Sequence, residues 1–598
     1  MKKHIISTLI LGLGLACGCS FLEPLPNGSY NEDNYEDYPK IIRGYVEKAY
    51  DLLPTSYLTT EYIGGDGMSD NLTWRAHTNA QYKLATGSGL MSNYSYSSIY
   101  TRDYKAIYYC NLFLKDDIGK TTRYMIDEKS NATLQKALQG DAYALRAWYY
   151  YNLLKLFGGR STDGQMLGVP IFTEPMNPED ADMADVVRPT YEECVNHILK
   201  DIDSAMVYLP LANRDFLKEP EIIPVLGAVR YRRFDAAGMM ALKASVLLTW
   251  ASPAFNPYDD VTRWDAAAKA AKAAIDHKLL VEGADAVKGG FDPKASFLWK
   301  DPNSSEAFCI SQITNNSNYE TNFYPQGFGG TAAYGATQEL VDAFGMNNGY
   351  PIDHPESNYD PQNPYRNRDP RFYATIFYDG SQVVRNTNAS DVMYVFDVAE
   401  GGKDAPGLVN TSPTGYYIKK HVYLGWNKSD LTISTAQACI MYWRWTQMLL
   451  TFAEAANQVV GPLDSSTYGM SAKEAIAYIR NRPLEDGSMG VGVAGDPYLD
   501  QQALAGASEF EKVIKNEWRV ETCFEGFRFF NQRRWAKSVD DINTDIHRVK
   551  ITREGIRTSY QTELLESRRY PSLWLPIPYM EIRKSPLMVQ NEGWESWK

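Results

Sequence analysis

Two segments of the chain combine aromatic rings with amide, carboxylate and guanidinium groups. The polar and aromatic members of the first segment, the glycine-rich residues 59–98, are Asp66, Asp70, Asn71, Trp74 and Arg75. An aromatic plane can lie against the C–H face of a sugar ring, while flanking Asp, Asn or Arg side chains bind its hydroxyl groups. Long irregular segments inside compact domains often carry function. The first segment therefore has the chemistry of a sugar-binding loop.

The second segment repeats this chemistry more than two hundred residues later. Its members are Asn315, Asn316, Tyr319, Asn322 and Tyr324. We hypothesise that the two loops converge on one ligand site, to which Asn316, Tyr319 and Tyr324 contribute. The alternative for each residue is an ordinary surface loop that carries polar side chains without a ligand.

These loops need a scaffold, and the stretch DAYALRAWYYYNLLKLFGG at 141–159 predicts its centre. Its apolar residues recur at helical spacing, but the opposite face has little polarity either, which is typical of a helix buried between others. The glycine pair Gly158-Gly159 ends it. Further helices are predicted at 37–53, 100–114, 190–209, 235–250, 264–277, 337–344, 442–459, 471–482 and 508–534.

The order of these helices predicts a mostly α fold, a stack of tetratricopeptide-like helical hairpins. Between them, residues 278–440 lose helical periodicity and become rich in Gly, Asn, Pro and Tyr, so we expect an irregular region with short strands. The expected organisation is a signal peptide at 1–18, a tether at 19–35, a helical scaffold at 36–277, a ligand-facing region at 278–440 and C-terminal helices that complete the scaffold at 441–598.

The N-terminus has the pattern of an exported lipoprotein. Lys2 and Lys3 precede an apolar run at 5–16, which is shorter than the roughly 20 residues that span a bilayer. The run ends in Ala-Cys-Gly-Cys-Ser, which resembles a bacterial lipobox. Cys19 is the predicted acylated residue and Cys17 the alternative, and a plain secretory signal is the other interpretation.

Charge and motifs exclude several other classes of protein. The net charge of -13 and the pI near 5.2 argue against a nucleic-acid-binding protein. The five remaining cysteines are far apart, which disfavours a zinc site or a disulfide framework and predicts buried small side chains. No G-x-S-x-G, H-E-x-x-H or D-x-[DN]-x-[DN]-G motif is present, so we expect neither a catalytic centre nor a bound metal or cofactor.

Three glutamates, Glu517, Glu521 and Glu525, repeat every four residues along the last long predicted helix. Arg528 follows at a spacing that allows an ion pair within the helix. A row of carboxylates can also be catalytic, but we expect a solvated or structurally paired face.

Several segments together resemble the SusD/RagB family of outer-membrane nutrient-binding lipoproteins of Bacteroidetes. The segments that carry the resemblance are CSFLE at 19–23, LRAWYY at 145–150, RPT at 188–190, ALKA at 241–244, RDPRF at 368–372, FAEA at 452–455, FEGFRFF at 524–530, RRW at 533–535 and PIP at 576–578. Ala336 stands where the family usually has proline. The resemblance implies a right-handed stack of four tetratricopeptide-like units with an irregular region packed on it.

The resemblance also implies a function. Members of the family cover a SusC-like TonB-dependent barrel in the outer membrane and deliver glycans, or in some cases peptides, into it. We therefore expect a non-catalytic glycan-binding lipoprotein on the cell exterior. The alternatives are a peptide-binding member of the family, a scaffold that binds only protein, and a surface glycoside hydrolase with two carboxylates about 5 to 9.5 Å apart.

Overall fold

The computed structural model describes residues 38–88, 94–176, 185–212, 223–282, 304, 306–386, 391–422, 426–427, 436–482, 490–492 and 495–596. The predicted signal peptide, the tether and Cys19 lie outside these ranges.

About 48% of the described chain is helical and its strands are mostly short, which confirms the mostly α prediction. The longer helices are Pro39–Asp51, Ser97–Leu114, Glu128–Phe157, Tyr191–Tyr208, Ala236–Ala251, Val261–Glu282, Trp445–Val460, Ala472–Arg480, Pro497–Ala505, Ala507–Glu521 and Phe527–Trp535. The short helices are Ile63–Gly67, Ala80–Ala85, Ile118–Thr121, Ile223–Leu226, Asn318–Phe323, Gln338–Ala343, Pro370–Thr375 and Tyr579–Lys584. Single 3₁₀ turns occur at Lys115–Asp117, Ala228–Arg232, Gln326–Phe328 and Val539–Ile542.

The longer helices form a stack in which each packs on the next along the chain. The first six, from Pro39–Asp51 to Val261–Glu282, follow one another in this way. The stack then continues directly from Val261–Glu282 to Trp445–Val460, and the described residues between these two helices form the irregular region. Helix Trp445–Val460 in turn packs on Ala472–Arg480 and Ala507–Glu521.

The central helix, Glu128–Phe157, is buried along most of its length, as its nearly uniform apolarity predicts. It begins 13 residues before the predicted start at Asp141, because Asp127 caps it by accepting from the Ser130 backbone N–H at 2.8 Å. Its buried Arg146 donates two 2.7 Å hydrogen bonds to Asp201 of the next helix. This ion pair fixes how the two helices face each other.

The strands are short and mostly pair across the irregular region. They are Leu72–Trp74, Gly159–Arg160, Met166–Leu167, Ala307–Ile310, Thr314–Asn316, Tyr334–Ala336, Ile376–Phe377, Gln382–Asn386, Asp391–Val395, Tyr417–Ile418, Trp426–Asn427, Ala436–Ala438, Met441–Arg444, Asp545–Glu554 and Arg557–Ser567. The last two form a long antiparallel hairpin within the part of the chain for which the sequence suggested only helices. Strand Leu72–Trp74 pairs antiparallel with Tyr334–Ala336 and so ties the scaffold to the irregular region.

The helix predicted at 508–534 is interrupted. Phe524 and Gly526 both adopt positive φ angles, 65° and 85°, which end helix Ala507–Glu521 and turn the chain before Phe527–Trp535. A Cβ atom at Gly526 would lie 2.5 Å from the Tyr62 Cα atom, so close backbone approach requires glycine here. Helical periodicity continues across this turn, which is why the sequence pattern did not reveal it.

The glutamate row faces inward and is paired. Glu517, Glu521 and Glu525 are buried. Their ion-pair partners are Arg371, Arg444, Arg480, Arg482 and Lys420, at 2.6–3.2 Å. Arg528 is not part of this set, since it pairs with Asp70. The row therefore links the C-terminal helices to the irregular region.

Candidate functional site

Asp70, the most acidic candidate of the first loop, is held by two arginines of the C-terminal helices. Its carboxylate accepts from the Arg528 guanidinium at 2.7 and 2.9 Å, and Arg519 lies 3.2 Å away. Although burial opposes ionisation, these two cations hold the pKa of Asp70 well below its usual range. Asp70 is thus an anchor of the loop on the scaffold.

Asp66 and Asn71 are also buried against protein. Asp66 accepts from the Gly526 backbone N–H at 3.3 Å, and burial raises the pKa of its carboxyl group to about 7. The Asn71 Oδ1 atom accepts from Arg519 Nε at 2.9 Å. Both side chains therefore fasten the loop to the turn and helices of the C-terminal part.

Trp74 is 4% exposed. Its ring packs over Gly67, where a Cβ atom would lie 2.5 Å away, and meets the Tyr82 ring edge-on at 6.4 Å between centroids. Arg75 next to it is exposed, and its backbone N–H donates to the Ala333 carbonyl oxygen at 2.9 Å. Of the first group of candidates, Arg75 alone projects into solvent.

The aromatic residues of the second segment are buried as well. The Tyr319 hydroxyl accepts from the Tyr57 backbone N–H at 2.9 Å, and the Tyr324 ring stacks on Phe328 at 4.6 Å. Asn316 is half-buried on the strand paired with Ala436–Ala438.

The structure thus changes the predicted site at six of its eight residues. The side chains that contact protein and leave no surface for a ligand are Asp66, Asp70, Asn71, Trp74, Tyr319 and Tyr324. Arg75 and Asn316 remain accessible. The physical reason is that the loops need internal partners for their own polar groups, since an unpaired buried polar group is costly.

A third segment lies between the backbones of the two loops. Arg75 N–H bonds to the Ala333 carbonyl, and Ala333 N–H bonds in turn to the Asn322 carbonyl at 2.7 Å. Ala333 thus bridges the two loops; their convergence on one ligand stays a prediction, and mostly other side chains occupy the surface around this bridge.

That surface presents an aromatic stack. The His77 and Tyr82 rings are parallel within 1° with centroids 4.4 Å apart; His77 is exposed and Tyr82 half-buried. Tyr334, also half-buried, sits directly opposite Trp74 across the strand pair. We name Arg75, His77, Tyr82 and Tyr334 the aromatic rim.

The local sequence explains how the rim is built. Asn79 caps helix Ala80–Ala85 by accepting from the backbone N–H groups of Gln81 and Tyr82, which fixes where the Tyr82 ring leaves the backbone. Burial and the nearby Glu566 carboxylate raise the pKa of Tyr82 to about 12, so its phenol keeps its proton at neutral pH. Sequence reasoning overlooked this residue, although the Asn79 cap signal before it was readable.

The described ranges contain neither a candidate metal site nor a helix that could span a membrane. No group of three or more His, Cys, Asp and Glu side chains there could hold a metal ion. No helix within those ranges is long and apolar enough to cross a membrane. The five cysteines are buried and unbridged, which confirms the prediction that they are small core side chains.

The fold is a stack of helical hairpins with an irregular, aromatic region packed on it. This architecture is typical of helical-repeat binding proteins, and comparison with known families identifies which family the chain belongs to. Residues 301–594 match the SusD family model, and residues 20–221 match a second model described as "starch-binding associating with outer membrane". The chain belongs to the SusD/RagB family.

Known relatives are similar to this chain over nearly its whole length. SusD-like protein P38 of Formosa agariphila is 21% identical over 551 residues, which cover 90% of this chain and 93% of that protein. A SusD-like protein of Bacteroides fragilis has the same fold, with a TM-score of 0.69, 22% identity and 94% and 98% of the two chains covered. A SusD-like carbohydrate-binding protein of the same species gives a TM-score of 0.65 at 17% identity over 93% and 99% of the chains.

Proposed function

We propose that this protein binds a glycan at the aromatic rim. The observation that carries the proposal is the accessible His77–Tyr82 stack, with the exposed Arg75 two residues before His77 in the chain. A ring with one free face can cover the C–H face of a sugar, and the adjacent guanidinium and phenol can bind hydroxyl groups. The rim lies at the junction of two loops held by buried contacts, so it is largely formed before a ligand arrives.

We further propose that the protein is an outer-membrane lipoprotein that faces the cell exterior, anchored by acylation of Cys19, and that it delivers its ligand to a SusC-like TonB-dependent transporter. The lipobox-like N-terminus and the outer-membrane description of the matching family model support this. The description of a structural relative as carbohydrate-binding supports the choice of ligand. The descriptions of the matching family model as starch-binding and of a structural relative as carbohydrate-binding support a binding role rather than hydrolysis.

Electrophoresis of residues 20–598 in native gels that contain different polysaccharides tests the binding proposal. One polymer should retard the protein without release of reducing sugar. Loss of a stacking ring costs about 0.5–1.5 kcal/mol, so Tyr82→Ala and Tyr334→Ala should each weaken binding roughly two- to tenfold.

Two control variants test whether any loss of glycan affinity comes from removal of an aromatic ring in the rim. Tyr82→Phe keeps the plane and should bind nearly as well, and Tyr258→Ala removes a ring that is 93% exposed and outside the rim. Unchanged affinity in both alanine variants of the rim would place the glycan elsewhere. Retardation by no polymer, with binding of oligopeptides instead, would make this a peptide-binding member of the family.

A further inference from the structure

A cavity of about 120 Å³ lies inside the helical stack; Glu61 and Tyr62 of the first loop line it, but none of the four rim residues does. Its walls come from the central helix and from helices Ala236–Ala251, Trp445–Val460, Ala507–Glu521 and Phe527–Trp535. Its mouth includes the half-buried side chains of Tyr151, Lys155, Phe527 and Phe530, so the interior communicates with solvent. An engineered apolar cavity of about 150 Å³ admits benzene, so this one can hold a ligand of nearly that size.

Most of the cavity wall is apolar. The apolar and aromatic members include Trp148, Leu156, Leu248, Phe255, Phe529 and Trp574. A ligand that fills the cavity must therefore present hydrocarbon over much of its surface.

Lys155 brings a cation to this apolar space. Its Nζ atom lies 4.3 Å from the centroid of the Phe530 ring and 5.7 Å from that of Tyr151. Within the described ranges no carboxylate oxygen lies within 4 Å of this nitrogen. Contact with an aromatic ring face offsets only part of the free energy that an ammonium group loses on desolvation. Lys155 can therefore still bind an anion.

The carboxylates nearest to Lys155 are already engaged by another cation. Arg102 binds Glu61 at 2.5 Å and Asp103 at 2.7 Å. Loss of solvent lowers the pKa of Lys155 to about 8, and Glu61 and Asp103 oppose that fall while Arg102 adds to it. Lys155 therefore remains mostly protonated at neutral pH.

Deeper in the cavity, buried polar atoms lack hydrogen-bond partners among the described residues. They are Trp518 Nε1, Arg533 Nε and Gln447 Oε1, and all three residues line the cavity. Two of them are N–H donors, and the Lys155 ammonium adds more. Among these unpartnered groups donors outnumber acceptors, and a carboxylate, which only accepts, is the functional group that matches them.

The Arg533 guanidinium is a second cation at the cavity. It stacks between Phe529 and Tyr570, with its Cζ atom 3.6 and 4.3 Å from the two ring centroids, and it donates to the Phe529 carbonyl oxygen. Like Lys155, it forms no ion pair within the described ranges. Its neighbour Arg534, in contrast, is neutralised by Glu454. Two cations without an ion pair of their own therefore border one cavity. The carboxylates that also line it, Glu61 and Glu525, are bound by other cations: Arg102 for Glu61, and Lys420 and Arg444 for Glu525.

We propose that this cavity is a binding site for a small carboxylate with a short apolar body, whose oxygens accept from Lys155, Trp518 and Arg533. The apolar walls receive the hydrocarbon part, and the donors receive the charge. The site is separate from the aromatic rim, and neither proposal depends on the other.

Thermal unfolding of residues 20–598 tests the proposal with three probes of one shape: butyrate, n-butylammonium and n-butanol, at constant ionic strength. Butyrate should raise Tm in a saturable manner, since a ligand that binds only the folded state stabilises it by mass action. The other two should not, because they lack a group that accepts from three donors. Equal shifts with butanol, or no saturable shift with butyrate, would overturn the proposal.

A pair of lysine variants locates the site. Lys155→Met should weaken butyrate binding at least about tenfold, the effect of one charge-assisted hydrogen bond. Lys105→Met removes an exposed lysine of a neighbouring helix and should leave binding unchanged. Undiminished binding in Lys155→Met would contradict the assignment.

A crystal structure of the unaltered protein soaked in butyrate provides a test that does not depend on the folding of any variant. Density for the carboxylate against Lys155 is expected. Ordered water alone in the cavity at a soak concentration that saturates the thermal shift would refute the site.

Discussion

The variant Asp70→Asn tests whether Asp70 anchors its loop to the scaffold or contacts a ligand. The change removes the charge that Arg519 and Arg528 share and keeps the shape of the side chain. Removing one partner of a buried ion pair costs about 3–5 kcal/mol, because the other charge stays buried. Arg519 keeps hydrogen bonds to the Asn71 side chain and the Asp70 carbonyl, and Arg528 is half-buried, so we expect the lower end, about 3 kcal/mol.

The lowered pKa of Asp70 also predicts how the loss of stability in Asp70→Asn changes with pH. The pKa of Asp70 is lower in the folded than in the unfolded protein, so its stabilising contribution is present above the unfolded pKa of about 3.9 and is lost as pH falls towards the folded value. The difference in stability between the native protein and Asp70→Asn should therefore be constant near neutral pH and shrink below about pH 4.

Urea unfolding followed by tryptophan fluorescence measures this difference. The matched control is Lys269→Ala, which breaks an exposed ion pair with Asp265 and should change the unfolding free energy by less than about 1 kcal/mol. If Asp70→Asn lowers glycan affinity but leaves stability unchanged, Asp70 is a ligand contact and the reasoning from its buried arginines is wrong.

Two further predictions concern the same loop. Asp66→Asn should stabilise the protein at pH 8 by up to about 4 kcal/mol, and the gain should vanish towards pH 4 in unfolding experiments, because a folded pKa of about 7 favours the protonated form that the amide imitates. Gly67→Ala should lower Tm, because the added Cβ atom would lie 2.5 Å from the Trp74 ring. The control is Gly44→Ala in helix Pro39–Asp51, where no heavy atom lies within 4 Å of the added Cβ atom, and it should stabilise the protein by about 0.5–1 kcal/mol.

The helices could be predicted because their signals are local. A capping box at Thr190 and Glu193 opens helix Tyr191–Tyr208, one residue after the predicted start at 190, and both of its reciprocal hydrogen bonds are present. The uniform apolarity of the central helix correctly indicated its burial. The turn at Phe524–Gly526 escaped notice because its cause is the close approach of Tyr62, a residue distant in the sequence.

The sequence predicted the chemistry of the candidate site, aromatic rings beside polar groups, but not most of the residues that form it. Glycine-rich loops with aromatic and polar residues did indicate where the two segments meet. Composition could not show which rings face solvent. Trp74 ends a strand and is buried over Gly67, whereas Tyr82, eight residues later, lies on helix Ala80–Ala85 and is half-buried. The N-cap at Asn79 was the one local signal that pointed to Tyr82.

The sequence by itself determined the mostly α fold, the family and the approximate location of most long helices, because periodicity, caps and motifs act over a few residues. The tertiary structure decided which polar groups became anchors. Asp70 meets Arg528 across 458 residues of sequence, and no short-range pattern records that contact. Burial is a property of the assembled stack, so the same side chain can be a sugar contact in one fold and an internal ion pair in another.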